Sequence, residues 1–141
     1  MSKTETKKDK MNIQQKLQGI QTELKAPKGQ TNKFGGYRYR SCEDILTALK
    51  PLLAQYTCTL AISDDIVEVG GRVYVMATAT LASTSCEGDD AVSTSGFARE
   101  AETKKGMDDA QITGTASSYA RKYALNGLFA IDDTKDPDAT N

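Results

Sequence analysis

Two segments of the 141-residue chain combine residue types suited to gripping a polyanion. The first is Lys33-Phe34-Gly35-Gly36-Tyr37-Arg38-Tyr39-Arg40, where cations interleave with aromatic rings. Lysine and arginine neutralise phosphates, and aromatic faces stack on bases at about 1–3 kcal/mol per base. On a strand the two kinds separate, with Tyr37 and Tyr39 on one face and Arg38 and Arg40 on the other. The competing reading makes the tyrosines core and the arginines plain surface. The second segment is 106–125, dense in small residues and carrying Gly114 inside a helical pattern at about 1 kcal/mol relative to Ala. Small side chains there let another backbone come close. Ile112, Ala116, Tyr119 and Tyr123 share one side, suited to packing on a sheet. Gln111, Thr115, Ser118 and Lys122 recur at helical spacing on another side, with Ser117 and Arg121 adjacent. Thr115, Ser118, Arg121 and Lys122 thus offer hydroxyls and charges of the kind that contact phosphate oxygens. The competing reading is a solvated face beside a packing seam. Arg99, Lys104 and Lys105 would extend a positive strip, although single basic residues are more often ordinary surface.

Bond-making chemistry finds little footing. The chain has no His, so the usual general base, Ser-His triads and Cys-His dyads are excluded. No GxxxxGK[ST] occurs, and the pairs Gly35-Gly36 and Gly70-Gly71 do not complete GxGxxG. Acids are paired at Asp64-Asp65, Asp89-Asp90, Asp108-Asp109 and Asp132-Asp133, but neighbours in sequence point in different directions and build no metal site. No catalytic residue, metal or cofactor is therefore expected; a metal-dependent nuclease using Asp108 and Asp109 is the weak rival. Cys42, Cys58 and Cys86 are odd in number, widely spaced and without CxxC, and read as buried free thiols in a reducing cytosol.

Charge is divided along the chain. Residues 1–40 hold ten Lys/Arg against three acids, a net of +7; residues 41–141 hold eight against sixteen, a net of −8, giving −1 in all. A basic segment on an acidic protein marks a candidate polyanion site. No apolar run is long enough for a membrane span, and the lysine-rich start lacks a signal-peptide core, so a cytoplasmic location is expected.

The elements that must position these residues follow from periodicity. Residues 1–10 read as a disordered basic tail, 11–131 as one domain and 132–141 as an acidic flexible tail. Ile13, Leu17, Ile20 and Leu24 form a helical face after Asn12 as N-cap, stopped by Pro27 and Gly29. The Tyr/Arg strand comes next. Ser41 then caps a second helix, in which Pro51 predicts a kink or an early end. Strands are expected over 57–63, 66–69, 72–82 and 91–100, the second and third joined by the hairpin pair Gly70-Gly71 and the last interrupted by Gly96. A last helix over about 108–126 ends at Gly127, and 128–131 forms an apolar patch on the core. The fold class is α+β, an antiparallel β-meander packed with helices.

The string Tyr37-Arg38-Tyr39-Arg40-Ser41-Cys42-Glu43-Asp44-Ile45-Leu46 leads into Leu49-Lys50-Pro51-Leu52-Leu53. With Asp109-Ala110-Gln111-Ile112-Thr113-Gly114-Thr115-Ala116-Ser117-Ser118-Tyr119-Ala120-Arg121-Lys122-Tyr123-Ala124-Leu125, it resembles the Erf family of phage recombination proteins over about residues 12–136. The resemblance implies annealing of complementary single strands of DNA without ATP, ring or filament homo-oligomers in the cytoplasm of a bacterial host, and no enzymatic step. It implies a β-β-β-α core like the Rad-type strand-annealing fold, with DNA in a positive groove beside the last helix. By position, Arg121 and Lys122 fall on that helix's basic pair, and Arg38 and Arg40 on the basic strand. The nucleic-acid-binding set is then Lys33, Tyr37, Arg38, Arg40, Arg99, Lys104, Lys105, Thr115, Ser118, Arg121 and Lys122. Partners would be single-stranded DNA, further copies of the chain, and host or phage recombination or replication proteins. The alternative is a module that sequesters or protects single strands without annealing them.

Overall fold

A computed structural model describes residues 8–32, 36–85, 90–101 and 108–131. Each long helix opens on a reciprocal cap that satisfies orphan N–H groups at its start. In α1 (Ile13–Glu23) the Gln15 amide donates to Asn12 Oδ1 at 2.8 Å and the Asn12 amide to Gln15 Oε1 at 2.9 Å. Ser41 and Asp44 do the same for α2 (Cys42–Gln55), and Asp108 and Gln111 for α3 (Asp109–Phe129). Between α1 and α2 lies a short antiparallel hairpin, β1 (Gln30–Asn32) and β2 (Tyr37–Tyr39). After α2 comes the main sheet: β3 (Cys58–Val69), β4 (Arg72–Ser83) and β5 (Ala91–Arg99), in that order and antiparallel throughout. Gly70 and Gly71 both have positive φ, 57° and 76°, which the tight β3–β4 turn requires.

The core lies between the inner face of this sheet and the helices. Val75, Ala77, Ala79 and Leu81 alternate inward on β4, as their period of two predicts. Against them pack Ala116, Ala120, Ala124, Leu125, Leu128 and Phe129 of α3, with Ile20 of α1 and Ile45 and Leu49 of α2. The outer face is polar. Thr78 and Ser95 share a hydrogen bond across strands at 2.8 Å, as do Thr80 and Ser93.

Several expected boundaries move, each for a packing reason. Gly96 does not interrupt β5; it stays in register opposite Ala77. A Cβ at Gly96 would stand 2.4 Å from Ala124 N and 2.5 Å from Ala120 O, so its bareness lets the α3 backbone press onto the strand. Tyr119 and Tyr123 consequently do not pack on the sheet: alanines hold the seat and the two tyrosines are 49% and 46% exposed. α3 runs past Gly127, whose missing side chain leaves room for Thr94, and ends at Ala130 in the left-handed region (φ 56°). The 128–129 pair is thus the buried last turn of the helix. β3 is continuous through Asp64-Asp65, which stay in register opposite Ala77 and Met76 of β4, and the Asp64 carboxylate finds a partner on α3. α2 continues past Pro51 to Gln55; Pro51 is on the exposed side, while Ile45 and Leu49 anchor the opposite one. α1 stops at Glu23, ahead of Pro27. Lys8–Lys10 form one 3-10 turn, with Lys8 Nζ 4.5 Å from the centre of the Tyr56 ring; both expected tails otherwise lie outside the described residues.

One buried charge holds the end of the sheet. Lys16 is 0% exposed, and its ammonium donates to Thr57 Oγ1 at 2.7 Å, Ser83 Oγ at 2.8 Å and Ser85 Oγ at 3.0 Å. Three hydroxyls match the three N–H donors of an ammonium and tie α1 to both strand ends. Two predictions follow from this packing. Gly96→Val should destabilise by at least about 3 kcal/mol, since backbone rather than a mobile side chain must give way. Lys16→Met, which fills the volume but strands the three hydroxyls, should destabilise by about 2–4 kcal/mol. Urea unfolding midpoints of both variants measure these changes.

Candidate nucleic-acid interface

The two segments singled out by their chemistry meet. Lys122 on α3 places its ammonium 5.2 Å from the centre of the Tyr39 ring on β2, within cation–π range. Asp44 anchors the hairpin: the Ser41 amide it caps holds its carboxyl below the ordinary range against burial, and bonds from the Ser41 hydroxyl, Gln30 and the Gly29 amide lower it further. Arg38, on the opposite face of β2 from Tyr39, is exposed. Tyr39 and Lys122 are both half-buried, so the contact is a partly desolvated one between elements far apart in sequence.

The remaining cations are distributed differently. Arg40 is half-buried, and its Nε donates to the Ala26 carbonyl. It lines a cleft of about 410 Å³ with Lys25, Pro27 and the end of α3 at Phe129. Arg99 is exposed at the far end of α3, lining a groove of about 410 Å³ with Phe97, Thr115, Tyr119 and Tyr123. A helix rises about 1.5 Å per residue, so the Ile112 and Phe129 ends of α3 lie about 25 Å apart. Arg40 and Arg99 therefore do not share one cleft. Thr115 donates its hydroxyl to the Gln111 carbonyl of its own helix at 2.8 Å, and Ser118 is exposed. Lys33, Lys104, Lys105 and the Tyr37 side chain lie outside the described residues, as does Cys86.

Arg121 is engaged with a residue that sequence reading treated only as half of an acidic pair. Its Nε donates to Asp64 Oδ1 at 3.1 Å and its Nη2 to Oδ2 at 3.2 Å, while Ser117 Oγ donates to Oδ2 at 2.5 Å. Burial pushes the Asp64 carboxyl up, but the bonds from Arg121 and Ser117 and the guanidinium charge outweigh it and leave it below the ordinary 3.8. The basic pair of α3 is thus split: successive helical residues are rotated by about 100°, turning Arg121 toward β3 and Lys122 toward the hairpin. Cys42, at the start of α2, feels both Arg121 and Asp64, and burial pushes its thiol up; burial does the same for Cys58. The exposed aromatic groove of Phe97, Tyr119 and Tyr123 was the other feature missed, and its only signal was the presence of tyrosines at helical spacing beside alanines.

Fold and surface together define an α+β module: a three-stranded meander backed by one long helix, with a hairpin that touches that helix through Tyr39 and Lys122. The family model described as the ERF superfamily matches residues 13–141, and the chain belongs to that family. It is 58% identical over 123 residues to the essential recombination function protein of Salmonella phage P22, covering 87% of this chain. The chain spans 57% of that relative's length. No solved structure matches it. Among the described residues no helix is long and apolar enough to cross a membrane.

The Asp64 carboxylate sets a pH dependence. Its folded-state pKa is depressed, so its contribution to stability is complete above 3.8 and is lost as pH falls from there through the lower folded value. Thermal unfolding from about pH 6 to about pH 2.5 should show Asp64→Asn less stable than the parent at the upper end. The two curves should converge at the acid end; parallel curves would show that the pair does not form.

Proposed function

We propose that the chain binds single-stranded DNA and anneals complementary strands without ATP or any covalent step, in phage homologous recombination. The observation that carries this reading is the Lys122–Tyr39 contact, which makes one surface of the two segments whose chemistry suits a nucleic acid. Membership of the ERF superfamily and the name of the phage P22 relative support the recombination role. Lys122 and Arg38 would neutralise phosphates, with Ser118 assisting, while the backbone is held extended and base edges stay open to a second strand. Tyr39 orients Lys122 and offers an aromatic surface beside it.

Few cations per copy mean that useful affinity requires many copies along one strand. The sheet supports a homo-oligomer, ring or filament. β3 and β5 are its two edges, and among the described residues no strand pairs with the outer side of either. Exposed apolar side chains flank both, Ile66 and Val69 on β3 and Phe97 on β5 beside Tyr119 and Tyr123. Unpaired edges of this kind are templates for head-to-tail pairing between copies.

Lys122→Ala should weaken binding to a labelled single strand whatever its sequence and reduce the salt dependence by about one contact. Its oligomer size in sedimentation should stay unchanged. Affinity retained in Lys122→Ala with Arg121→Ala would remove the site assignment. In a complementary-oligonucleotide assay the parent protein should speed pairing; slower pairing would mark a sequestering module instead.

A further inference from the structure

We propose that Asp64 is an internal competitor for the Arg121 guanidinium, occupying it in the DNA-free subunit as a phosphate would and lowering each copy's grip on a strand. The inference rests on the single-strand-binding reading and concerns the side of α3 turned toward β3, next to the side that carries Lys122. The contact is two-point: Nε to Oδ1 at 3.1 Å and Nη2 to Oδ2 at 3.2 Å. Guanidinium groups use the same paired N–H geometry to hold phosphates. The pair is open to water, with Arg121 and Asp64 side chains 41% and 26% exposed. Such ion pairs are weak and screened, so an incoming phosphate diester can displace the carboxylate.

Two observations set competition above a structural strut. First, α3 is already clamped to the sheet through Gly96 against Ala120 and Ala124, so the seat of the helix does not need the ion pair. Second, Glu43 at the start of α2 acts on the same Cys42 thiol as Arg121 and Asp64, which puts a further carboxylate on this side of the helix. A phosphate reaching Arg121 there meets a carboxylate already in its place and further negative charge around it. Lys122 faces the Tyr39 ring instead.

Fluorescence anisotropy with a labelled oligo-dT strand over a potassium chloride series tests this, using the parent chain, Asp64→Asn, Arg121→Ala and the double variant. Asp64→Asn should bind about three- to fivefold tighter, the equivalent of one weak surface ion pair released. Its log–log salt slope should steepen by about 0.7, one further phosphate contact on a single strand. Arg121→Ala alone should lose less than about twofold yet abolish the gain in the double variant. Equal or weaker binding by Asp64→Asn, or a loss in Arg121→Ala as large as in Lys122→Ala, overturns the proposal. Should Asp64→Asn fail to fold by circular dichroism, the comparison of Arg121→Ala with Lys122→Ala decides alone. A parent chain that does not bind the strand at low salt brings down the single-strand reading itself; a parent that binds, with no gain in Asp64→Asn, removes only the competitor.

Discussion

The closeness of α3 to β5 is the constraint on which the rest of the molecule depends. At Gly96 the strand meets the helix backbone at distances no side chain would permit, and Ala116, Ala120 and Ala124 repeat the same smallness along the helix. Dispersion between two backbones in direct contact is gained only when no Cβ intervenes. That contact fixes the rotation of α3 about its own axis. Once the alanine stripe faces the sheet, Tyr119 and Tyr123 must lie outside it, Arg121 must turn toward β3, and Lys122 must turn toward the hairpin. The surface chemistry is therefore a consequence of how small residues are spaced on the hidden side.

Some of the cations serve the packing of the chain and others face solvent, as Lys10, Lys25, Lys28 and Arg38 do. Of the ten Lys/Arg in residues 1–40, Lys16 is fully buried among three hydroxyls and Arg40 is held to the Ala26 carbonyl. Lys8 lies over the Tyr56 ring. Buried or half-buried ammonium and guanidinium groups need several acceptors at once, and these cations find them in loop carbonyls, hydroxyls and ring faces. Lys16 ties the N-terminal segment to the ends of the main sheet, Lys8 sets it against the end of α2, and Arg40 holds the loop at Ala26.

The proposed binding surface is modest in each copy: Lys122 against Tyr39, an exposed Arg38 and a guanidinium already shared with Asp64. Weak individual sites suit a protein acting as many copies on one strand, because each can release while its neighbours hold. The two sheet edges, unpaired among the described residues, and their apolar side chains fit such an arrangement.

Sequence alone determined most of the elements, though not the β1 strand, the continuity of β3 or the end of α3. Period-two and period-3.6 patterns, the Asn12 and Ser41 caps and the Gly70-Gly71 turn are local signals, readable because each depends on neighbours only a few residues away. The Erf motif strings likewise placed the chain in its family. Tertiary structure decided what the individual polar residues do. Asp64 and Arg121 are 57 positions apart, Tyr39 and Lys122 lie in elements separated by the whole main sheet, and Lys16 meets residues more than 40 positions away. Gly96 looked like a break in a strand until the helix that rests on it was in view. Contacts across such separations are set by which faces the core buries, and no window of local sequence contains that information.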